Sequence, residues 1–230
     1  MHALVEKPIC LKSKQAEDLI KISKKKNKIL MVGHLHLFNP GIQKLKADIK
    51  LGLFGKIRYI SIFHSGNGPV RTDISALWDF FPHSVSILLY LLEKYPVVIS
   101  ADGAAFLKKG NEDIAVMSLK FPNNIFATST GSWIYPAKKL EIVVGGEKMY
   151  AVFDDYAQES KLKYYKGIDC RNVHIENFKP LTAQIEYFLN CVRSNKIKIN
   201  GGKAALDVTK ILELAQKSLR NGVKIKIGRL

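Results

Sequence analysis

Asp79 and His83 are the residues in this sequence whose types and spacing first suggest acid–base chemistry. Apolar residues recur at helical spacing after Pro82, which predicts a buried helix. These residues are Val85, Leu88, Leu89 and Leu92. We expect Pro82 in the first turn, where a missing N–H costs no hydrogen bond, and Asp79 and His83 together at the helix entrance. There the helix dipole keeps the imidazole neutral and available as a base, while the carboxylate can hold one of its tautomers.

The same spacing also has a purely structural explanation. In that interpretation Asp79 caps the helix and His83 is a buried histidine of the core. Lys7, which stands before Pro8, can in the same way be a surface lysine that precedes a turn. Spacing alone leaves these alternatives open.

The charge balance of the chain is strongly basic. Its 230 residues include 36 Lys and Arg against 20 Asp and Glu, which gives a formal net charge of +16. The lysines are spread along the chain and form no basic stripe interleaved with aromatic residues, so we expect no nucleic acid as a partner. Solvated lysine-rich surfaces explain most of the charge, and a preference for small anions such as phosphates is the alternative.

Several features of the sequence indicate a soluble protein of the cytoplasm. No run of about 18 residues lacks charges, so we expect no membrane-spanning helix. No N-terminal stretch has the pattern of a signal peptide. The three cysteines, Cys10, Cys170 and Cys191, are scattered and lack the spacing of metal ligands. They favour a reducing compartment and argue against a disulfide scaffold or a metal site.

The first 33 residues predict a strand–helix–strand unit. Residues 1–8 begin with a short strand, Ser13 is expected to cap a helix over residues 14–26, and residues 28–33 form a buried strand. Such a unit implies a parallel pair of strands. Because one unit cannot cover both faces of a parallel sheet, the chain is expected to start in the middle of a domain.

The middle of the chain predicts a helix and a strand before the segment of Asp79 and His83. Asn39 and Pro40 open the helix, which reaches about Leu51, and residues 57–63 alternate as a strand does. Residues 65–77 are expected to form a loop. Its Gly66-Asn67-Gly68 is not a dinucleotide-binding fingerprint, because Pro69 follows at once and the third glycine is missing.

The remainder of the chain predicts an antiparallel sheet with helices on one side. The expected strands are 97–107, 112–121, 125–134, 138–145 and 148–154. They alternate in polarity and are joined by short turns. Two amphipathic helices close the chain, one through Leu181 to Val192 and one through Val208 to Leu219, before a last strand at 223–227.

Three motifs in this order resemble the Gfo/Idh/MocA family of dehydrogenases. They are Glu6-Lys7-Pro8 after a strand, Met31-Val32-Gly33-His34 followed by Phe38-Asn39-Pro40, and Asp79-x-x-x-His83. The segment from Ala76 to His83 is similar to the branch that contains UDP-N-acetylglucosamine 3-dehydrogenases. The resemblance covers almost the whole chain and implies an α/β fold of two parts. These are the C-terminal remnant of a Rossmann domain (1–34) and a substrate-binding and oligomerisation domain (35–230) with a large, mostly antiparallel sheet.

The resemblance also implies an activity and a set of site residues. It implies NAD(P)-dependent oxidation of a hydroxyl group of a sugar or nucleotide sugar, by a homo-oligomer that pairs through the open sheet face. The implied catalytic residues are Lys7, Asp79 and His83. The implied cofactor-binding residues are Glu6, Lys7 and Pro8, and the implied substrate-binding residues are Lys7, Arg71, Trp78 and Asp79. A neutral imidazole would accept the hydroxyl proton while an ammonium group stabilises developing alkoxide.

The sequence departs from the family pattern in three places. The N-terminal half of the Rossmann domain, with its glycine-rich phosphate-binding turn, is missing from these residues. Ser84 replaces a frequent acidic residue, and Leu35-His36-Leu37 replaces a more polar stretch. We therefore expect a truncated chain with impaired cofactor binding, inactive in isolation. The alternative is a non-catalytic interaction domain with a vestigial site.

Overall fold

Two sheets of different size form the framework of the protein. The computed structural model describes residues 1–66, 70–176 and 178–228. The strands are β1 Ala3–Val5, β2 Leu30–Val32, β3 Ile57–Ser65, β4 Val98–Ala104, β5 Ile114–Phe121, β6 Ile125–Ser132, β7 Lys139–Gly146, β8 Tyr150–Asp154, β9 Leu162–Lys166, β10 Asp169–Asn172 and β11 Ile225–Lys226. The helices are α1 Ser13–Lys25, α2 Pro40–Lys50, α3 Ala76–Leu92, α4 Pro180–Ser194 and α5 Gly202–Asn221, with short 3-10 helices at Leu35–Phe38 and Pro122–Asn124.

The small sheet is the predicted strand–helix–strand unit. β1 and β2 pair in parallel, with Ala3 opposite Leu30, and α1 connects them. The expected cap of α1 is wrong, because Ser13 is already helical and follows Lys12. The Ser13 N–H donates instead to Glu213 Oε1 of α5 (3.2 Å), so a tertiary contact satisfies this end of the helix.

The large sheet is mostly antiparallel, as predicted. Within the described residues its order is β10-β9-β8-β7-β3-β6-β5-β4-β11, and β3 with β6 is its parallel pair. The expected strand at 97–107 is too long, since β4 ends at Ala104. β9 and β10 were not predicted, and they extend the sheet beyond β8.

Several chain segments meet at one edge of the large sheet. β3 and β6 end there side by side, with Ser65 opposite Ser132, and β7 begins there at Lys139. β8 ends at the same edge with Asp154, which pairs with Glu141. The loops at this edge therefore lie together, and they supply Trp133, Asp155 and Tyr156 to the candidate site described below.

α3 starts earlier than its sequence predicts. It begins at Ala76, so Pro82 lies inside the helix and His83 is not in its first turn. Proline leaves the carbonyl four residues earlier without its usual N–H donor. Burial of the apolar residues in the first turns offsets this cost, because α3 packs between the sheet and α5; these residues are Ala76, Leu77, Trp78, Phe80 and Phe81. The structure describes residues 66 and 70–75 of the expected loop 65–77, whereas 67–69 of its Gly66-Asn67-Gly68-Pro69 stretch lie outside the described residues.

A glycine of β6 sets how close α3 lies to the sheet. A Cβ atom built on Gly131 would lie 2.9 Å from both Phe80 Cβ and Phe81 Cε1. Such contacts are too short for real atoms, so any larger residue here would push α3 outward. The position of Asp79 and His83 therefore depends partly on this glycine.

The segment between β2 and α2 carries a 3-10 helix that the sequence did not reveal. The predicted helix start at Asn39 is confirmed, because Asn39 Oδ1 accepts from the Gly41 N–H (2.9 Å). Phe38 packs with Ile29, Met31 and Cys191 in a second apolar cluster that joins β2 to α4. The division of the chain at residue 34 stays a prediction.

Two further properties concern the chain as a whole. None of the helices in the described ranges has the length and hydrophobicity needed to span a bilayer. Cys10, Cys170 and Cys191, all in the part of the chain that the structure describes, carry free thiols.

Candidate active site

Lys7 and Asp79 form the centre of the candidate site. Lys7 follows β1, and its Nζ donates to Asp79 Oδ1 (2.9 Å) and to the Asp79 backbone carbonyl (2.8 Å). Their side chains are 16% and 20% exposed, so the ion pair is shielded yet reachable from solvent. The Trp133 Nε1–H donates to the other carboxylate oxygen, Asp79 Oδ2 (3.0 Å). Two residues 72 positions apart in sequence, both named as catalytic in the resemblance, are thus in direct contact.

The carboxylate of Asp79 is held in its charged form. Burial acts to raise the pKa of Asp79. The hydrogen bond and charge of Lys7, together with the hydrogen bond of Trp133, lower it by more than burial raises it, so the pKa lies below its ordinary value. Arg71 adds a weaker attraction from 3.9 Å. Asp79 is therefore an anion that fixes the position of the Lys7 ammonium group.

The expected hydrogen bond between Asp79 and His83 is wrong. Lys7 and Trp133 hold the Asp79 oxygens, and His83 Nδ1 is buried without a partner among the described residues. The proposed influence of a helix N-terminus is also wrong, since α3 starts seven residues before His83. The imidazole is kept neutral by burial first, and then by the positive charges possible at His36 and present at Lys7, which together place its pKa well below 6.5.

Three histidines, His36, His64 and His83, surround the space next to Lys7. They come from the 3-10 helix, β3 and α3, and we call them the histidine cluster. The His36 and His83 ring centroids are 4.5 Å apart, and His64 lies 5.3 and 5.5 Å from these two. Burial lowers the pKa of His36 to about 4 and that of His64 to about 3. Within the described ranges, no group of His, Cys, Asp and Glu has metal-binding geometry.

The sequence did not identify His36 and His64 as site residues. His36 appeared only as part of a departure from the family pattern, and His64 is one residue in a regular strand. Neither lies within a few residues of the other or of Asp79. Their shared location results from the meeting of three elements at one sheet edge, for which the sequence holds no local signal.

A cavity of about 890 Å³ lies at the same sheet edge. Its polar lining includes Asn39, Asp155, Tyr156, Lys161 and His174. Asn39 Nδ2 donates to Asp155 Oδ1 (3.0 Å), and the charge of Asp155 acts on the neighbouring His36. This volume lies in the range of small-molecule sites. The cavity is therefore large enough for a sugar beside the histidine cluster.

The other predicted site residues differ in how close they lie to Lys7 and Asp79. Glu6 and Pro8 flank Lys7, and the Glu6 carboxylate lies over Gly33, where an added Cβ would approach its Oε1 to 3.2 Å. Arg71 lies beside Asp79 but makes its hydrogen bonds to Asp73. Trp78 is the residue that is not brought to the cluster, because it is buried and its Nε1–H donates to Gln216 of α5 (3.1 Å).

The arrangement suits the removal of a proton from an alcohol. A fixed ammonium group can stabilise negative charge on an oxygen, and a neutral imidazole nearby can accept its proton. The polar cavity adjoins these groups through Asp155, whose charge acts on His36 of the histidine cluster. The geometry thus favours acid–base chemistry on a hydroxylated small molecule.

Comparison with known proteins identifies relatives of most of the chain. Residues 42–152 match the GFO/IDH/MocA C-terminal domain family. The chain is 26% identical over 208 residues to the UDP-N-acetylglucosamine 3-dehydrogenase of Acidithiobacillus ferrooxidans. This match covers 85% of the chain and 64% of that relative, so the chain spans slightly less than two thirds of the relative's length.

Solved structures show the same fold. A structure of UDP-N-acetylglucosamine 3-dehydrogenase from Acidithiobacillus ferrooxidans matches with a TM-score of 0.86 and 24% identity, over 96% of this chain and 71% of that one. An inositol dehydrogenase homologue from Azotobacter vinelandii, complexed with NADH and myo-inositol, matches with a TM-score of 0.89 and 16% identity, over 99% of this chain and 72% of that one. At these identities the likeness is one of fold.

Proposed function

We propose that this chain, whose residues 42–152 place it in the GFO/IDH/MocA family, oxidises a hydroxyl group of a sugar or nucleotide sugar with NAD or NADP. The observation that carries this proposal is the contact of Lys7 with Asp79 beside the neutral His83. The relative that acts on a nucleotide sugar and the structural neighbour that holds NADH and myo-inositol support it.

Lys7 and His83 divide the work in the proposed reaction. Lys7 Nζ, held by Asp79, donates a hydrogen bond to the substrate hydroxyl oxygen and stabilises the charge that develops there. His83 accepts the hydroxyl proton at a ring nitrogen. Bound NAD or NADP supplies the hydride acceptor. The cavity of about 890 Å³ holds the rest of the sugar through its polar lining, so that the reacting carbon is placed next to Lys7.

The residues that remain for the cofactor suit its nicotinamide end. Glu6, Lys7 and Pro8 follow a strand of a parallel pair, and ligands of α/β sheets bind at the carboxyl ends of such strands. A pyrophosphate needs close backbone approach at a helix N-terminus, usually through glycine. No glycine occurs between Lys7 and Ser13, the turn that leads into α1. These residues therefore fit one end of the cofactor and offer little to its phosphates.

We predict weak cofactor binding by the 230-residue polypeptide. Each missing charge-assisted hydrogen bond to phosphate contributes about 1.5–3 kcal/mol, so the loss of several weakens binding by several powers of ten. Calorimetric titration with NAD and with NADP measures this directly. We expect millimolar or weaker dissociation constants, and a micromolar constant would contradict the assignment.

An assay for the reduced cofactor tests the proposed activity. The polypeptide is mixed with millimolar NAD or NADP and with UDP-N-acetylglucosamine, myo-inositol or glucose, and the absorbance of the reduced nicotinamide is followed. The sequence predicts an inactive chain because of its impaired cofactor binding; since a millimolar cofactor concentration partly compensates for weak binding, we expect slow formation of reduced cofactor with at least one of these compounds. Its absence with all of them would favour the alternative of an interaction domain with a vestigial site.

The open face of the large sheet supports a second copy of this chain as a partner. Exposed apolar residues from four strands share this face, namely Tyr59, Val116, Phe126 and Tyr150. Their neighbours Ile60, Ala115, Ala127 and Ala151 point to the opposite face, which the helices cover. An apolar face of this extent is rare on a monomer. We therefore propose a homo-oligomer that buries it.

Light scattering provides the test of association. We expect at least a dimer mass at micromolar concentration, and Phe126→Asp should shift the mass to that of a monomer because it places a charge in the interface. Phe106→Asp is the control, since Phe106 is exposed in the loop after β4. A monomer mass for the unchanged chain would exclude this interface. A cytoplasmic location stays a prediction from the scattered cysteines.

A further inference from the structure

A second cavity lies behind the catalytic segment of α3. It measures about 270 Å³ and is bounded by the C-terminal half of α3, the first turns of α5 and the chain after β2. Its walls are largely apolar and include Leu37, Leu89, Tyr90, Ile199 and Val208. None of its lining residues belongs to the larger cavity beside the histidine cluster. It is therefore a separate space.

Two buried polar side chains of this cavity have unused hydrogen-bonding atoms. His34 is 2% exposed, and neither of its ring nitrogens has a partner within the described parts of the chain. Asn200 is 1% exposed; its Nδ2 donates to the His34 carbonyl (3.2 Å), while its Oδ1 has no donor among the described residues. Buried polar groups in native proteins are nearly always paired, so these atoms call for a partner.

The free atoms define what that partner must offer. Burial, followed by the charges of Lys7 and His36, lowers the pKa of His34 to about 4, so at neutral pH its ring has one N–H donor and one acceptor. Asn200 Oδ1 can only accept. A hydroxyl group suits this combination, because it can accept from the His34 N–H and donate to one of the two acceptors, the other His34 ring nitrogen or Asn200 Oδ1.

The nearby carboxylate of Asp207 does not compete for this hydroxyl. Its Oδ2 accepts from Tyr95 Oη (2.7 Å) and its Oδ1 accepts from Lys203 Nζ (2.7 Å). The charge of Asp207 is therefore already paired. Glu93, Lys94 and Lys198 also line the cavity, so its two acidic and two basic residues balance in charge. The chemistry points to a neutral ligand.

Ordered water alone is a poor occupant of this cavity. A water molecule takes about 30 Å³ of liquid volume and needs two to four polar partners. The cavity has room for several waters, but the unpaired atoms come from His34 and Asn200, and most of its wall is apolar. A ligand with a single hydroxyl group on an apolar body matches both the polar corner and the walls.

We propose that this cavity binds a small neutral molecule with one hydroxyl group on an apolar ring, at His34 and Asn200. The site is independent of the sugar-oxidation proposal, since it shares no residue with the candidate active site. A sugar fits it poorly, because its further hydroxyl groups would face apolar walls without partners.

Titration of the full 230-residue chain with cyclohexanol tests the proposal. Calorimetry gives the affinity, and the ring signals of His34 in NMR spectra report the location. Two variants probe the site. His34→Phe keeps a ring but removes both nitrogens, and Ala204→Trp places a large side chain at the exposed mouth without touching the core. His174→Phe is the matched control, since His174 is exposed elsewhere.

We expect saturable millimolar binding to the unchanged chain and to the control, with the His34 signals moving. Binding should be about tenfold weaker in His34→Phe, the effect of a lost hydrogen bond, and at least as weak in Ala204→Trp. If His34→Phe does not fold, Ala204→Trp decides. The proposal is overturned if the unchanged chain shows no saturable binding, which means water only, or if Ala204→Trp binds equally well.

Discussion

Replacement of His83 by phenylalanine is expected to lower kcat/KM for sugar oxidation by about 10²–10⁴-fold, the usual contribution of a general base. Phenylalanine preserves the ring that packs against His36 and His64, so the histidine cluster should keep its shape. The control, Ile168→Phe, introduces the same side chain at a fully exposed position in the turn between β9 and β10, away from both cavities, and should retain the full rate. A rate for His83→Phe within a factor of two of the control would remove His83 from the mechanism.

The pH profile of the unchanged chain gives an independent check on His83. The free enzyme's essential base determines the acid limb of kcat/KM. Because burial and neighbouring positive charge place the pKa of His83 well below 6.5, the base stays neutral as pH falls from 8 to 6. We expect kcat/KM to be flat over this interval. A fall centred near pH 6.5 would mean that an ordinary, solvent-exposed imidazole acts instead.

Acid is expected to destabilise the protein strongly through its buried histidines. The folded-state pKa values of His34 and His36 are about 4 and that of His64 is about 3, all below the unfolded value of about 6.5. Unfolding therefore takes up protons below that value. Their contribution to stability is complete above about pH 6.5 and is lost as pH falls toward 4 and 3.

His64→Phe isolates one part of this effect. At about pH 4.5 the lowered pKa of His64 costs the folded state about 2–3 kcal/mol, and phenylalanine removes that cost. Urea unfolding at about pH 7.5 and pH 4.5 measures it. The quantity compared is the free energy of unfolding of the variant minus that of the unchanged chain. We expect this difference to be about 2–3 kcal/mol more positive at pH 4.5 than at pH 7.5. In Ile168→Phe, which introduces the same side chain at an exposed position without removing a histidine, the relative stability should be equal at both pH values, and the same result for His64→Phe would contradict the burial argument.

The elements that the sequence predicted well are those governed by local rules. The strand–helix–strand unit follows from short apolar runs around an amphipathic helix, and α2 follows from an asparagine cap before proline. The alternating strands between β4 and β8 follow from their two-residue period and their turns. Lys7 was singled out by the resemblance to the family and not by spacing, and it contacts Asp79 although 72 residues separate the two.

The features that the sequence did not predict depend on tertiary packing. Proline statistics placed the start of α3 near Pro82, but burial of the residues before it extends the helix back to Ala76. That difference also removes the helix-dipole argument for His83 and leaves burial as the cause of its neutrality. Asp79 turns toward Lys7 and Trp133 rather than His83, a choice made by residues distant in sequence.

The rate of cofactor reduction by Lys7→Met tests the central claim most directly. Methionine matches lysine in length but cannot donate a hydrogen bond or carry the charge that stabilises alkoxide. Lys14→Met is the control, because Lys14 is exposed on α1. With millimolar NAD and the sugar that reacts best, we expect Lys7→Met to be slower by about 10²–10³-fold, as for other lost oxyanion donors, and Lys14→Met to match the unchanged chain. Equal rates for Lys7→Met and Lys14→Met would contradict the assignment of Lys7, Asp79 and His83 as the active site.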